Sequence, residues 1–127
     1  MSLREIARNR LKKDEKGRIR RWFQGDDVDL FTWEDDDGNI IRHQFTFGIS
    51  RRKTWMVDWD PLRGVRTGEV DTGRRMVDME DIVSFYLHPS SDLIDKARSI
   101  VADSTIDPKV RQHFLEQTAK YVGSERT

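Results

Sequence analysis

The sequence predicts one domain of the α+β class, an antiparallel sheet followed by helices packed on one of its faces. Three observations carry that expectation. Apolar residues alternate with a period of two from about residue 18 to 73, they recur at helical spacing from about 76 to 122, and the two patterns do not interleave. Strands followed by helices, not alternating with them, separate this class from a parallel nucleotide-binding sheet. A length of 127 residues fits a single domain. A chain of that size buries about two-thirds of the surface it exposes when unfolded, enough to fold without covalent staples.

The elements follow in chain order. Ser2-Leu3-Arg4-Glu5 has the form of a capping box, and Leu3, Ile6, Ala7 and Leu11 make one apolar stripe. Together they predict a short basic N-terminal helix over residues 1–16, stopped at Gly17. The sheet is predicted over 18–73, as a meander of four or five strands. Phe31 and Trp33 share one face, as do Ile41, His43, Phe45 and Phe47, and then Trp55, Val57 and Trp59. Asp35-Asp36-Asp37-Gly38-Asn39 and Asp60-Pro61-Leu62-Arg63-Gly64 supply turns short enough to join antiparallel neighbours.

Helices are predicted over 76–122. Met76, Met79, Val83 and Tyr86, flanked by Ile82 and Leu87, form an apolar side that ends before Pro89. Ser90 or Ser91 caps the next helix, whose inner positions are Leu93, Ile94, Ala97, Ile100 and Val101. Asp107-Pro108 starts the last one, with aspartate as N-cap and proline at the first helical position. Its inner side is Val110, Phe114, Leu115, Tyr121 and Val122.

Composition removes several chemistries. With no cysteine there is no disulfide framework, iron–sulfur cluster, thiolate zinc site or cysteine nucleophile. No apolar run approaches the roughly 18 residues of a membrane span, and the basic N-terminus lacks the apolar core of a secretory signal. A cytoplasmic location is therefore the default expectation, and no membrane partner is expected.

The formal charge is zero but unevenly spread. Residues 1–21 carry nine basic and three acidic side chains, a net of +6, whereas residues 26–37 carry seven acidic and no basic ones, a net of −7. Such a dipolar chain pairs its charges internally, with another copy or with a charged partner.

The run Arg20-Arg21-Trp22-Phe23, then Asp29-Leu30-Phe31-x-Trp33, Asp37-Gly38-x-Ile40, Gln44, Trp59 and Val70-Asp71-x-Gly73, resembles a family of small bacterial proteins known as conserved hypothetical sequences. The likeness covers about residues 18–73 and departs around 49–58, where Arg51-Arg52-Lys53 and Trp55 intervene. It implies a bacterial source. It implies no activity, because none is established for that family.

Reactive constellations are sparse. An EF-hand alignment of the acidic turn puts Trp33 and Gln44 where the first and last carboxylates are required, so no calcium loop is expected. His43, His88 and His113 lie on separate elements without metal-ligand spacing. Phosphate-loop, dinucleotide and nucleophile-elbow motifs do not occur, and neither cofactor nor metal is expected. His43 falls on an aromatic strand face, where a hydrogen-bonded core role is the expectation.

Three functional readings follow. The first is a non-enzymatic interaction module that binds a protein partner or its own copy, with Arg8, Arg10, Lys12 and Lys13 as the charged contact. The second is nucleic-acid binding through that basic segment and through an aromatic, basic sheet face at Arg51, Arg52, Lys53 and Trp55. Against it, the tryptophans are expected to fill the layer between sheet and helices. The third is an enzyme in which a sheet carboxylate, Asp29 or Asp58, meets His43 in one cleft.

Overall fold

The structure, a computed structural model, describes residues 3–6, 17–50, 53–70 and 83–121, with the side chains of 49, 50 and 53 left out. Among the described residues, seven strands form one sheet whose spatial order is the chain order. They are β1 (Arg4–Glu5), β2 (Ile19–Gly25), β3 (Val28–Glu34), β4 (Ile40–Ser50), β5 (Lys53–Asp60), β6 (Gly64–Val70) and β7 (Val83–Phe85), and every neighbouring pair is antiparallel. Helices α1 (Ser91–Asp103) and α2 (Pro108–Thr118) follow, the second ending in a 3₁₀ turn at Ala119–Tyr121. None of the described helices is long and apolar enough to cross a membrane.

Turn chemistry sets the register. Between β3 and β4, Asp35 Oδ1 accepts from the backbone N–H groups of Asp37 and Asn39, and Gly38 takes the left-handed φ of 81° that the chain reversal needs. Between β5 and β6, Asp60 Oδ1 does the same for Leu62 and Arg63. With register fixed at the turns, strict alternation sends Phe23, Leu30, Phe45, Val57, Trp59 and Val65 to one face. There they meet Leu93, Ile94, Ala97 and Val101 of α1 and Val110 and Phe114 of α2 in one buried cluster. Burying side chains of this size stabilises by about 1.5–3 kcal/mol each.

The helix starts behave as their sequences suggest. Ser90 Oγ accepts from Leu93 N–H at 3.3 Å, and the Ser90 N–H itself donates to Thr67 Oγ1 at 2.9 Å, which ties the start of α1 to β6. Asp107 caps α2 through Lys109 N–H. Arg98 joins the two helices by donating to the Leu115 carbonyl and to Thr118 Oγ1.

Two expectations are corrected. Arg4–Glu5 is a strand, paired with Gln24 and Phe23, and not part of a helix. Tertiary contacts override the capping-box pattern there: extended backbone puts Leu3 in the core and Glu5 against Arg21. Residues 7–16 of the expected helix lie outside the described residues. The sheet has seven strands where four or five were expected, and the short edge strands β1 and β7 account for the excess.

The spacing of Val83 with Met76 and Met79 predicts a helix, but Val83–Phe85 is a strand that pairs with β6; Met76, Met79 and Ile82 lie outside the described residues. Gly68 permits that pairing. A Cβ at Gly68 would come within 2.4 Å of the Ser84 carbonyl oxygen and 2.9 Å of Phe85 Cα. Leu87, expected on an apolar side, is 91% exposed.

Candidate functional site

Alternation that sends Phe23 and Leu30 towards the helices sends their neighbours to the opposite face, where neither α1 nor α2 packs. That face carries Arg20 and Trp22 of β2, Phe31 and Trp33 of β3, Arg42 and Gln44 of β4, Asp58 of β5 and Arg66 of β6. Register partners line up across five strands as Trp22, Phe31, Gln44, Asp58 and Arg66. With strands about 4.8 Å apart, this row is about 19 Å long. Beside it runs a second row, Arg20, Trp33 and Arg42.

One end of the surface is aromatic. Trp22 and Phe31 stack with ring centroids 5.7 Å apart, and Trp33 lies 6.3 Å from Phe31. All three rings are half-buried. The Arg20 guanidinium sits 5.2 Å from the centre of the Phe31 ring and that of Arg42 sits 5.1 Å from Trp33, so cations and π-faces alternate. Trp22 Nε1 donates to Asp29 at 2.8 Å, which fixes the indole edge. Burial raises the Asp29 pKa above the ordinary carboxylate value, opposed by hydrogen bonds from Trp22 and Gln24.

The other end is built from arginines around Asp58, whose side chain is fully buried. Arg42 donates from Nε (3.2 Å) and Nη2 (3.1 Å) to Asp58 Oδ1, and Arg66 Nη2 donates to Oδ2 at 3.0 Å. A buried carboxylate loses several kcal/mol of hydration, which only close ion pairing offsets. Phe85 of β7 lies 3.9 Å from the Arg66 guanidinium and holds its plane. Arg42, Gln44, Arg63, Arg66, Val83 and Phe85 line a pocket of about 210 Å³. Arg66 Nε is buried and has no hydrogen-bond partner, a state that costs about 1–3 kcal/mol for a polar group.

The helix-side face holds the other ionisable clusters. Arg21 is 2% exposed and donates to Glu5 through Nε (2.7 Å) and Nη2 (2.8 Å), while its Nη1 reaches Glu34 at 3.1 Å and Asp107 at 3.2 Å. The hydrogen bond to Glu5 above all, against the opposing effect of burial, raises its already high pKa further. This cluster joins β1, β2, β3 and the start of α2.

His43 is buried among Trp59 (ring centroids 5.1 Å), Phe114 (4.8 Å) and His113 (5.5 Å). Neither of its ring nitrogens has a hydrogen-bond partner, contrary to the hydrogen-bonded role expected of it. Burial first, and His113 second, hold its pKa well below 6.5.

The residues singled out from sequence are therefore scattered. Arg8, Arg10, Lys12, Lys13, Arg51 and Arg52 lie outside the described residues, and of Lys53 only the backbone in β5 is described. Trp55 packs against Phe47 on the helix side. The expected convergence of a sheet carboxylate with His43 does not occur: Asp29 and Asp58 stand on the face opposite α1 and α2, and His43 on the other. The Asp35 carboxylate is engaged by its own turn. Trp22, Phe31, Trp33, Arg20, Arg42 and Arg66 were not singled out together. The phase of Trp22 and Trp33 against buried Phe23 and Leu30 is the signal that separates them from Trp55 and Trp59.

No family model, curated protein or solved structure matches the chain.

Proposed function

We propose that the chain is a non-enzymatic binding module that lays a segment of single-stranded nucleic acid across the face of its sheet opposite α1 and α2. The observation that supports this reading is the alternation of Trp22, Phe31 and Trp33 with Arg20 and Arg42 on one rigid surface. Aromatic rings and guanidinium planes both stack on bases, and guanidinium groups hold phosphates. Antiparallel strands fix those groups more firmly than a loop would. A cytoplasmic location accords with this reading, and the likeness to the bacterial family adds no activity to it.

Charge sets the expected strength. Arg20, Arg42, Arg63 and Arg66 are offset on this side of the sheet by Asp29, Asp58 and Asp60. Two to four phosphate contacts give a slope of log affinity against log salt of roughly −1.5 to −3, at about −0.7 per contact. The basic residues Arg8, Arg10, Lys12 and Lys13 would steepen it.

The test is fluorescence anisotropy of a labelled mixed-sequence single strand at low and physiological salt. Saturable binding with that slope is the expected result. Constant anisotropy at low salt overturns the reading.

One observation favours a second reading, association with a protein partner or a second copy. The face is close to charge balance and rich in Trp, Phe and Arg, the residues enriched at interface hot spots. The earlier charge argument weakens, because Asp29, Glu34 and Asp35 are engaged by Trp22, Arg21 and their own turn. Sedimentation that becomes concentration-dependent, and reverts on Trp33→Ser, is the outcome this reading expects.

A further inference from the structure

We infer that the pocket among Arg42, Arg63 and Arg66 is a subsite for one phosphate group. The inference deepens the nucleic-acid reading and rests on it for the source of the phosphate, although its geometry stands apart from the aromatic end. Two of the three guanidinium groups are already oriented. Fully buried Asp58 takes Arg42 on one oxygen and Arg66 on the other, so neither arginine swings away to solvent. Phe85 supports the Arg66 plane at 3.9 Å.

Asp58 carries one negative charge and binds two cations, so the triad keeps a net positive charge. Arg63, 57% exposed, reaches Asp60 only at 3.8 Å and is the adjustable third donor. Gln44 adds an amide to the wall, and Val83 and Phe85 close the pocket with apolar surface.

The donor set is specific in its chemistry. Arg66 Nε is buried at the wall of this site without an acceptor, so an oxyanion in the pocket satisfies it once the guanidinium tilts towards the pocket. Planar forks match the oxygens of a tetrahedral anion better than a halide, which takes one bond at a time. At about 210 Å³ the pocket has room for a phosphate group and is smaller than an ordinary ligand pocket. Arg42 also lies over Trp33, which joins the pocket to the aromatic end of the face.

The experiment is titration of the ¹⁵N-labelled chain with inorganic phosphate at constant ionic strength, balanced with chloride, following the arginine Nε–Hε resonances. Saturable displacement of the Arg66 signal is expected. Arg63→Gln, a surface change that leaves Asp58 paired, should weaken it about tenfold, the value of one charge-assisted contact, without moving the unfolding midpoint. A drift that chloride reproduces, or an Arg63→Gln chain that binds phosphate like the parent, overturns the subsite.

A nucleoside 5′-monophosphate that binds more tightly than phosphate supports a nucleotide as the source. Equal affinity supports the same subsite serving free phosphate. Oligonucleotide binding without phosphate saturation retires the subsite and leaves the nucleic-acid reading standing; the reverse pattern retires that reading and keeps the subsite.

Discussion

Asp58 Oδ1 lies 3.1 Å from Arg42 Nη2, and the carboxylate is fully buried on the sheet face opposite α1 and α2. The shielding among the described residues comes from side chains of the same face, Arg42 and Arg66 with Phe85 behind them. Asp58→Ala should therefore leave two guanidinium groups uncompensated and cost about 3–5 kcal/mol, measured by denaturant unfolding. Asp58→Asn should cost less, because it keeps the side-chain volume and one acceptor oxygen. Equal losses for the two would mean that the lost charge pairing alone, and not the cavity, sets the cost.

Arg21 performs the corresponding task on the helix side. Removing it as Arg21→Ala strips Glu5, Glu34 and Asp107 of their shared cation. A loss of about 3–5 kcal/mol is expected, in the range for an uncompensated buried partner. Arg21→Met with Glu34→Leu, which removes charge from both sides, should recover much of it. A double variant as unstable as Arg21→Ala contradicts this account.

His43 predicts a pH dependence of stability. Its pKa in the folded chain is held well below 6.5, so below 6.5 the unfolded chain binds a proton that the folded chain does not. The stabilising contribution is complete above about 6.5 and is lost as pH falls towards the folded value, by up to about 1.4 kcal/mol per pH unit. His43→Phe should be at least as stable at neutral pH, since it removes two unpaired ring nitrogens, and should show a shallower fall between pH 6.5 and 5. His113, whose pKa burial also lowers, keeps a residual slope in the variant. Parallel curves for parent and variant would refute the assignment.

Gly68 tests how the edge is built. Gly68→Ala puts a methyl group into the Ser84 carbonyl, so β7 must shift. The expected cost is about 1–3 kcal/mol, the usual penalty for overpacking, with faster hydrogen exchange at the Tyr86 amide that donates to the Thr67 carbonyl. Unchanged exchange there would show that β7 tolerates the group.

Much of the fold was legible because its signals are local. Asp35–Asn39, Asp60–Gly64, Ser90 and Asp107-Pro108 each act within four residues, and each does what its sequence suggests. Strands of two and three residues have no period to read, so β1 and β7 were missed and the N-terminal stripe looked helical. The site was less legible still. Alternation assigns Trp22 and Trp33 to one face and Trp55 and Trp59 to the other only once register across three strand pairs is known. That register also separates Asp58 from His43 and brings Arg42 to Arg66, residues 24 positions apart in the chain.

The central claim is that recognition takes place on the sheet face opposite α1 and α2. It is tested most directly by intrinsic tryptophan emission during titration with a mixed-sequence single strand, in the parent and in a Trp22→Phe, Trp33→Phe chain. The account predicts saturable, salt-sensitive quenching in the parent and almost none in the variant, whose remaining Trp55 and Trp59 stand on the helix side. Quenching that survives in the variant, or none in either chain at low salt, would contradict it.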